Sequence, residues 1–203
     1  RLAPRQLYRA QVRLAAGAAN NACGLATPPR FNTLILDLNT NPTNPTVAAC
    51  VPNAGEHDFY LVSPYTGPDA DHQGKEIAFV FDGRDRTGAA IGGFTEIWDV
   101  SNKNAISVMA SFRVPGMVLS HNGWPTDEQD FLFIGDEVDE LVYAGWAFSA
   151  FFAQPVADPT NKPQTGTYVV DIRDLDNPVF HSRYEDGTVG LDHNFVVEDN
   201  KLY

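Results

Sequence analysis

Short apolar runs separated by turn residues recur along the chain, and three of these runs are copies of one pattern. Each copy holds aliphatic, β-branched and aromatic residues and closes on Asp plus an aliphatic residue, which is typical of a strand that ends at a turn. An Asn-containing turn and a second apolar run follow each copy, so the pattern predicts an internal repeat built from β-strands. The copies are Thr33–Leu38, Thr95–Val100 and Thr167–Ile172, and the runs that follow them span 47–51, 106–114 and 179–184.

A histidine beside a polar residue stands 20 to 22 residues after the Asp of each copy. Two further apolar runs follow each histidine, so one repeat unit contains four short strands over roughly 60 to 70 residues. Four antiparallel strands per repeat form a blade of a β-propeller. A β-sandwich also has short strands at regular spacing, but it does not require the same Asp and His in a near-fixed register. The histidine pairs are His57-Asp58, His121-Asn122 and His193-Asn194.

The predicted fold class is therefore all-β, with β-propeller blades of four antiparallel strands and about three blades' worth of a larger propeller. We expect a single partial domain over 1–203, with modules near 1–56, 57–120 and 121–192 and the start of the next at 193–203. An apolar segment interrupts the repeat, so 145–165 is predicted to be an insertion. Because propellers close with about four to eight blades, we expect part of a longer polypeptide, or a ring that other chains complete. Near the start, arginines at every fourth position fit a helix face, whereas the repeat favours a strand over 11–16.

The chain is strongly acidic, with a net charge of −12 from 14 Lys and Arg against 26 Asp and Glu. An acidic body repels phosphate backbones, so nucleic acid is not an expected partner. It attracts cations, either at a site or as a diffuse cloud, although acidity also serves solubility alone. No run of about 18 apolar residues occurs, so no transmembrane segment is predicted.

The first strand of each propeller blade lines the central channel, so equivalent polar residues on these strands form a ring. Histidine nitrogens and carboxylate oxygens suit a divalent metal ion such as Zn, Mn or Cu, whereas Ca is favoured if oxygen ligands dominate. Alternatively, each histidine only bonds a neighbouring blade and fixes the packing. The candidate metal ligands are His57, Asp58, Glu76, His121, Asp136, Glu137, Asp192 and His193.

No established catalytic motif occurs in the sequence. A Gly-rich phosphate loop, a Gly-x-Ser-x-Gly elbow and a zincin helix are all missing, so no nucleotide cofactor is predicted and no catalytic residue is singled out. The repeat residues Asp37, Asp99 and Asp171 are predicted to cap the turn after each strand. The pattern leaves open whether the protein is an enzyme and leans towards a protein without catalytic activity.

The repeat resembles a known family. The strand-plus-Asp pattern is similar to the LVIVD repeat and, more closely, to the choice-of-anchor B group of extracellular β-propeller proteins. The resemblance runs in order from about Cys23 to Tyr203 and implies an extracellular or cell-surface protein whose biochemical activity is poorly defined. The matching stretches are His57-Asp58, Gly67–Asp69, Gly74–Ile77, Ser120–Trp124, Asp136–Glu140, Thr167–Asp171, Asp174–Pro178 and Asp192–Asn194.

The two cysteines are open to two interpretations, a pair of free thiols or one disulfide in an oxidising compartment. Proteins that resemble this chain carry a cysteine pair flanking one repeat strand. The resemblance thus implies a disulfide between Cys23 and Cys50.

Two functions follow as hypotheses. The first is a secreted or cell-surface scaffold for binding, adhesion or assembly, with a protein, a glycan or other subunits as partners. The alternative is a metal-binding protein or metal-dependent enzyme with a histidine and carboxylate site at the propeller axis.

Overall fold

The computed structural model describes residues 9–12, 32–38, 40–52, 57–81, 93–137, 165–185, 187 and 193–203. These ranges contain thirteen β-strands and one 3-10 turn at Ala70–His72, and they contain no α-helix. The first strands are β1 (Arg9–Val12), β2 (Asn32–Asp37), β3 (Thr46–Pro52), β4 (Asp58–Val62), β5 (Ile77–Phe81), β6 (Phe94–Asp99) and β7 (Ser107–Arg113). The others are β8 (Ser120–Pro125), β9 (Phe131–Asp136), β10 (Gly166–Asp171), β11 (Val179–Glu185), β12 (Val197–Glu198) and β13 (Lys201–Leu202).

Strands that follow one another along the chain pair antiparallel, which produces four separate sheets. The first sheet has the order β1-β2-β3, and the second and third sheets have four strands each, β4-β5-β6-β7 and β8-β9-β10-β11. The fourth sheet is the hairpin β12-β13. Four-stranded antiparallel meanders are the blades of β-propellers, so the prediction of an all-β fold with blades of this kind is confirmed.

The three repeat copies form β2, β6 and β10. β6 and β10 are the third strands of their four-stranded sheets, and β2 is the middle strand of the three described strands of the first sheet. Each of these strands has a register shift against the following strand at the same point of the pattern: Ile35/Leu36, Ile97/Trp98 and Val169/Val170. Such a bulge adds twist where the strand approaches its turn.

The repeat aspartates cap those turns, as predicted. The side chain of Asp99 accepts from the Ser101 backbone N–H at 3.0 Å, and that of Asp171 accepts from Arg173 N–H at 3.0 Å. The Asp37 carboxylate accepts from the Thr40 hydroxyl at 2.7 Å.

The core lies between sheets, and β5 shows how it is shared. All five residues of β5 are buried, and because alternate side chains point to opposite faces, the strand contributes to two clusters. Phe79 and Phe81 pack in the cluster that contains residues of the third sheet, whereas Ala78 and Val80 pack in a second cluster with Val51 of the first sheet. The second sheet is therefore covered on both faces by its neighbours.

Close contact between the second and third sheets requires a glycine on β8. A Cβ atom placed on Gly123 would come within 2.4 Å of the Phe81 ring and 2.6 Å of the Phe133 carbonyl oxygen. The small residue lets β8 approach β5, and this brings together the starts of the neighbouring strands β4 and β8.

Several predictions fall wholly or partly outside the described residues. Positions 11 and 12 of the predicted strand 11–16 belong to β1, and the remaining positions of that strand are not described. The predicted insertion 145–165 lies outside apart from Thr165, and Asp192 and Cys23 also lie outside. Cys50 is disulfide-bonded, and no described cysteine is free. Within the described ranges, no helix has the length and apolar character needed to cross a membrane.

Candidate metal centre

The three repeat histidines lie side by side, although they stand 64 or more residues apart in sequence. The His57 and His121 ring centroids are 4.0 Å apart, and those of His121 and His193 are 4.8 Å apart. His57 directly precedes β4, and its backbone N–H donates to the Phe81 carbonyl at 2.9 Å, which extends the β4–β5 ladder. His193 lies four residues before β12, and His121 lies within β8, so the three rings come from positions at or shortly before the first described strand of successive sheets.

His121 sits on a β-bulge. In the β8–β9 ladder Ser120 pairs with Asp136 and Asn122 pairs with Gly135, so His121 is the extra residue of β8 at this point. A bulge of this kind changes the direction of one side chain without interrupting the sheet, and bulges are frequent next to functional sites. Here the bulge places the imidazole of a buried strand between the two exposed histidines.

Glu137 adds a carboxylate to the histidines. It directly follows β9, and its Oε2 lies 3.2 Å from His121 Nε2, while its Oε1 lies 3.8 Å from His193 Nε2. Three residues each offer one potential ligand atom, and these three atoms lie within 4.8 Å of one another: they come from His57, His121 and Glu137. We call these three residues the ligand group.

His121 is buried, at 1% exposure, and neither of its ring nitrogens makes a hydrogen bond. The 3.2 Å approach of Glu137 is short enough for an ion pair with a protonated ring, but it lacks hydrogen-bond geometry. Buried polar atoms in proteins are nearly always hydrogen-bonded, and an exception is accounted for by a bound water, an ion or strain. Both nitrogens of His121 are therefore available as ligand atoms for a bound species between the side chains.

The electrostatics of the site favour the neutral imidazole. Burial lowers the pKa of His121, the neighbouring His57 and His193 rings lower it further, and the Glu137 carboxylate and the His193 backbone partly offset these effects. A metal ion binds the neutral form of histidine. The lowered pKa of His121 therefore favours the form of the ring that a metal ion binds.

Of the other predicted ligands, His193 lies beside the ligand group, whereas Asp58, Asp136 and Glu76 have other partners. Asp58 turns to its own strand, where Oδ1 accepts from the Phe59 N–H at 2.7 Å. Asp136 is fully buried, and its two oxygens accept from the N–H groups of Val118 and Leu119 at 2.6 Å and 2.8 Å. Asp192 lies outside the described residues.

Glu76 is at the other end of its blade. It precedes β5, and because β4 and β5 are antiparallel, Val62 pairs with Ile77 while Asp58 pairs with Phe81. Five residues of strand, about 17 Å, thus separate Glu76 from His57. Glu76 instead forms an ion pair with Lys103. The residue that follows the second strand of a blade, as Glu137 does, is the one that returns to the histidine.

The supports of His121 could not be found from sequence. The bulge, the backbone contacts of Asp136 and the 2.8 Å hydrogen bond between the Ser120 and Thr95 hydroxyls depend on strand register. The only sequence signal was the occurrence of Ser120 and Asp136 next to predicted ligands.

Comparison with protein-family models found no match for the chain, and comparison with curated proteins found none either. The site is therefore interpreted from its own geometry. Two imidazoles and a carboxylate, with a third imidazole alongside, form a donor set that suits divalent ions of the first transition series and zinc.

Proposed function

We propose that this protein binds a divalent metal ion of the Zn²⁺ type at the propeller axis, through His57, His121 and Glu137. The observation that carries the proposal is the burial of His121 with both ring nitrogens unpaired, next to another imidazole and a carboxylate. A histidine that served only for blade packing would be expected to use at least one ring nitrogen in a hydrogen bond to its neighbour.

The donor set favours Zn²⁺, Mn²⁺ or Cu²⁺ over Ca²⁺. Calcium takes six to eight oxygen ligands, whereas the ligand group offers two nitrogens and one carboxylate. Three protein ligands leave one position of a tetrahedral zinc site for water or for His193. Metal-dependent enzymes use such an open position to bind water or substrate. A catalytic function of this protein would therefore use the same position.

The acidity of the chain assists the same function. A net charge of −12 raises the local concentration of cations around the protein. It also causes weak, non-specific binding of any divalent ion. A test of the site must therefore separate site-bound metal from bound counterions.

The test uses protein purified without chelator, analysed for metal, and then stripped and titrated with Zn²⁺ and Ca²⁺ by calorimetry. We expect one equivalent of tightly bound Zn²⁺, a much weaker response to Ca²⁺, and loss of the zinc site in His121→Ala. The matched control is His181→Ala, because His181 lies on the outer strand β11 and contacts Ser182. Equal zinc binding by both variants, or none by the wild type, would overturn the proposal.

We further propose that the protein is exported and acts as a cell-surface or secreted scaffold for binding or assembly, as the resemblance to LVIVD-repeat propellers implies. Two observations support this second function. Cys50 is disulfide-bonded, which is typical of oxidising compartments. The outer strand β11 exposes Val179, Phe180 and Tyr184 to 61%, 42% and 61%. Protease treatment of intact source cells tests the location, and protection of the chain until the cells are lysed would contradict it.

A further inference from the structure

We infer that Asp136 is the positioning residue of the proposed metal site, holding both His121 and Glu137 in the places from which they bind. The inference rests on the proposed function, since it assigns a role towards the same ion. Asp136 itself is outside the ligand group. Asp136 acts through the backbone that directly precedes each of the two ligands.

The contacts of Asp136 connect the two strands that carry those ligands. The residue ends β9, next to Glu137 in sequence, and it pairs across the ladder with Ser120, next to His121. Its oxygens accept from two consecutive backbone N–H groups, Val118 at 2.6 Å and Leu119 at 2.8 Å. Hydrogen bonds to a buried carboxylate are shorter and stronger than neutral ones, so the entry of the chain into β8 is held at this point.

Because His121 lies in a bulge, its backbone needs these additional hydrogen bonds to be held in place. A bulged residue has lost its place in the ladder, so His121 cannot be oriented by strand pairing alone. Two contacts fix the segment that leads into His121: the Asp136 carboxylate accepts from the N–H groups of the two residues before Ser120, and the Ser120 hydroxyl bonds Thr95 of the second sheet at 2.8 Å. Asp136, Ser120 and Thr95 are all fully buried. The backbone that leads to the imidazole is thus fixed from its own sheet and from the second sheet before a metal ion arrives.

Residues that orient metal ligands in this way commonly change metal affinity by about 10- to 100-fold when replaced. Asp136→Asn is the direct test, because the amide has the shape of the carboxylate but turns an N–H group towards the backbone donors of Val118 or Leu119. We expect zinc affinity to fall by about 10- to 100-fold. The absorption bands of the Co²⁺-substituted protein should also change, because they report the ligand geometry.

The matched control is Asp99→Asn. Asp99 also accepts a backbone N–H, from Ser101 at 3.0 Å, but it caps the turn after β6 at a distance from the ligand group. This variant also replaces a carboxylate that accepts a backbone N–H by a neutral amide, so a general loss of stability would act on both variants. Only Asp136→Asn should change the zinc affinity and the Co²⁺ spectrum.

The measurements distinguish failure of the positioning role from failure of the metal site. Wild-type zinc affinity and an unchanged Co²⁺ spectrum in Asp136→Asn would overturn the positioning role and leave the metal site standing, whereas failure of the wild type to bind zinc would overturn both. If Asp136→Asn does not fold, hydrogen exchange of the metal-free wild type decides. Slow exchange of the Val118 and Leu119 amides supports the role, and exchange at the rate of an unfolded chain refutes it.

Discussion

Nε2 of His72 lies 3.1 Å from Oδ2 of Asp176, and this contact joins the connection between β4 and β5 to the turn between β10 and β11. The Lys75 ammonium lies 3.0 Å from Nδ1 of the same ring. Because an ammonium group only donates, Nδ1 accepts, and Nε2 carries the proton that is donated to Asp176. Nearby, Asp69 accepts from the Leu175 N–H at 2.9 Å. The second and third sheets are therefore linked by polar contacts at their outer turns, in addition to their shared core.

Replacement of this buried histidine should weaken the protein. His72 is 7% exposed, and His72→Ala removes an acceptor for Lys75 and a donor to Asp176. We expect the free energy of unfolding to fall by about 1–3 kcal/mol, measured by denaturant titration. His181→Ala is the control, since the same change at an exposed position should cost less than about 0.5 kcal/mol. Equal losses in the two variants would show that the contact between sheets contributes nothing.

Zinc should stabilise the folded protein if the ligand group binds it. His57 belongs to the second sheet, and His121 and Glu137 belong to the third, so the site exists only when the two sheets are packed together. At a free zinc concentration of a hundred times Kd, the free energy of unfolding should rise by about 2.7 kcal/mol. Denaturant titration with and without zinc measures the rise. His121→Ala should abolish it and His181→Ala should retain it, whereas an equal rise in both would indicate non-specific binding.

Lowering the pH should remove the contribution of Asp99 to the free energy of unfolding. Burial raises the pKa of this carboxyl, but hydrogen bonds from Ser101 and the Lys75 ammonium at 3.3 Å outweigh burial and lower it overall. A carboxyl with a lowered pKa in the folded state stabilises the protein above its unfolded pKa, and the stabilisation is lost as pH falls through the folded value. The difference in the free energy of unfolding between wild type and Asp99→Asn should therefore be constant near neutral pH and shrink below about pH 4.

Lys75→Met provides the comparison for this pH dependence. Loss of the ammonium removes one of the interactions that lower the pKa of Asp99. The effect of Asp99→Asn on the free energy of unfolding should therefore change less with pH in the Lys75→Met background. The interpretation is wrong if the difference between wild type and Asp99→Asn at pH 3 equals the difference at pH 7.

The disulfide of Cys50 is predicted to be formed with Cys23. Peptide mapping under non-reducing conditions should yield a single cross-linked fragment containing both residues. The bond closes a loop of 28 residues by their numbering, and its reduction should cost about 3–4 kcal/mol in the chain-entropy account. A cross-link between two copies of Cys50, seen as a dimer that reduction separates, would contradict the pairing.

Local pattern was sufficient to predict the blades. The apolar runs of Thr95–Val100 and Thr167–Ile172, with a capping Asp at the end of each, become β6 and β10 because strand preference and turn chemistry act over a few residues. The recurrence of His57, His121 and His193 also indicated a common place in the repeat, and the three rings do lie together.

The composition of the site depended on contacts between distant parts of the chain. The sequence made both Glu76 and Glu137 candidate ligands, and antiparallel pairing places Glu76 a strand's length away from the histidine of its own blade. The bulge at His121 and the burial of Asp136 likewise arise from the β8–β9 register and from the packing of two sheets. Strand identity is a property of neighbouring residues, whereas the ligand group exists only because long-range register and sheet packing bring its members to one point.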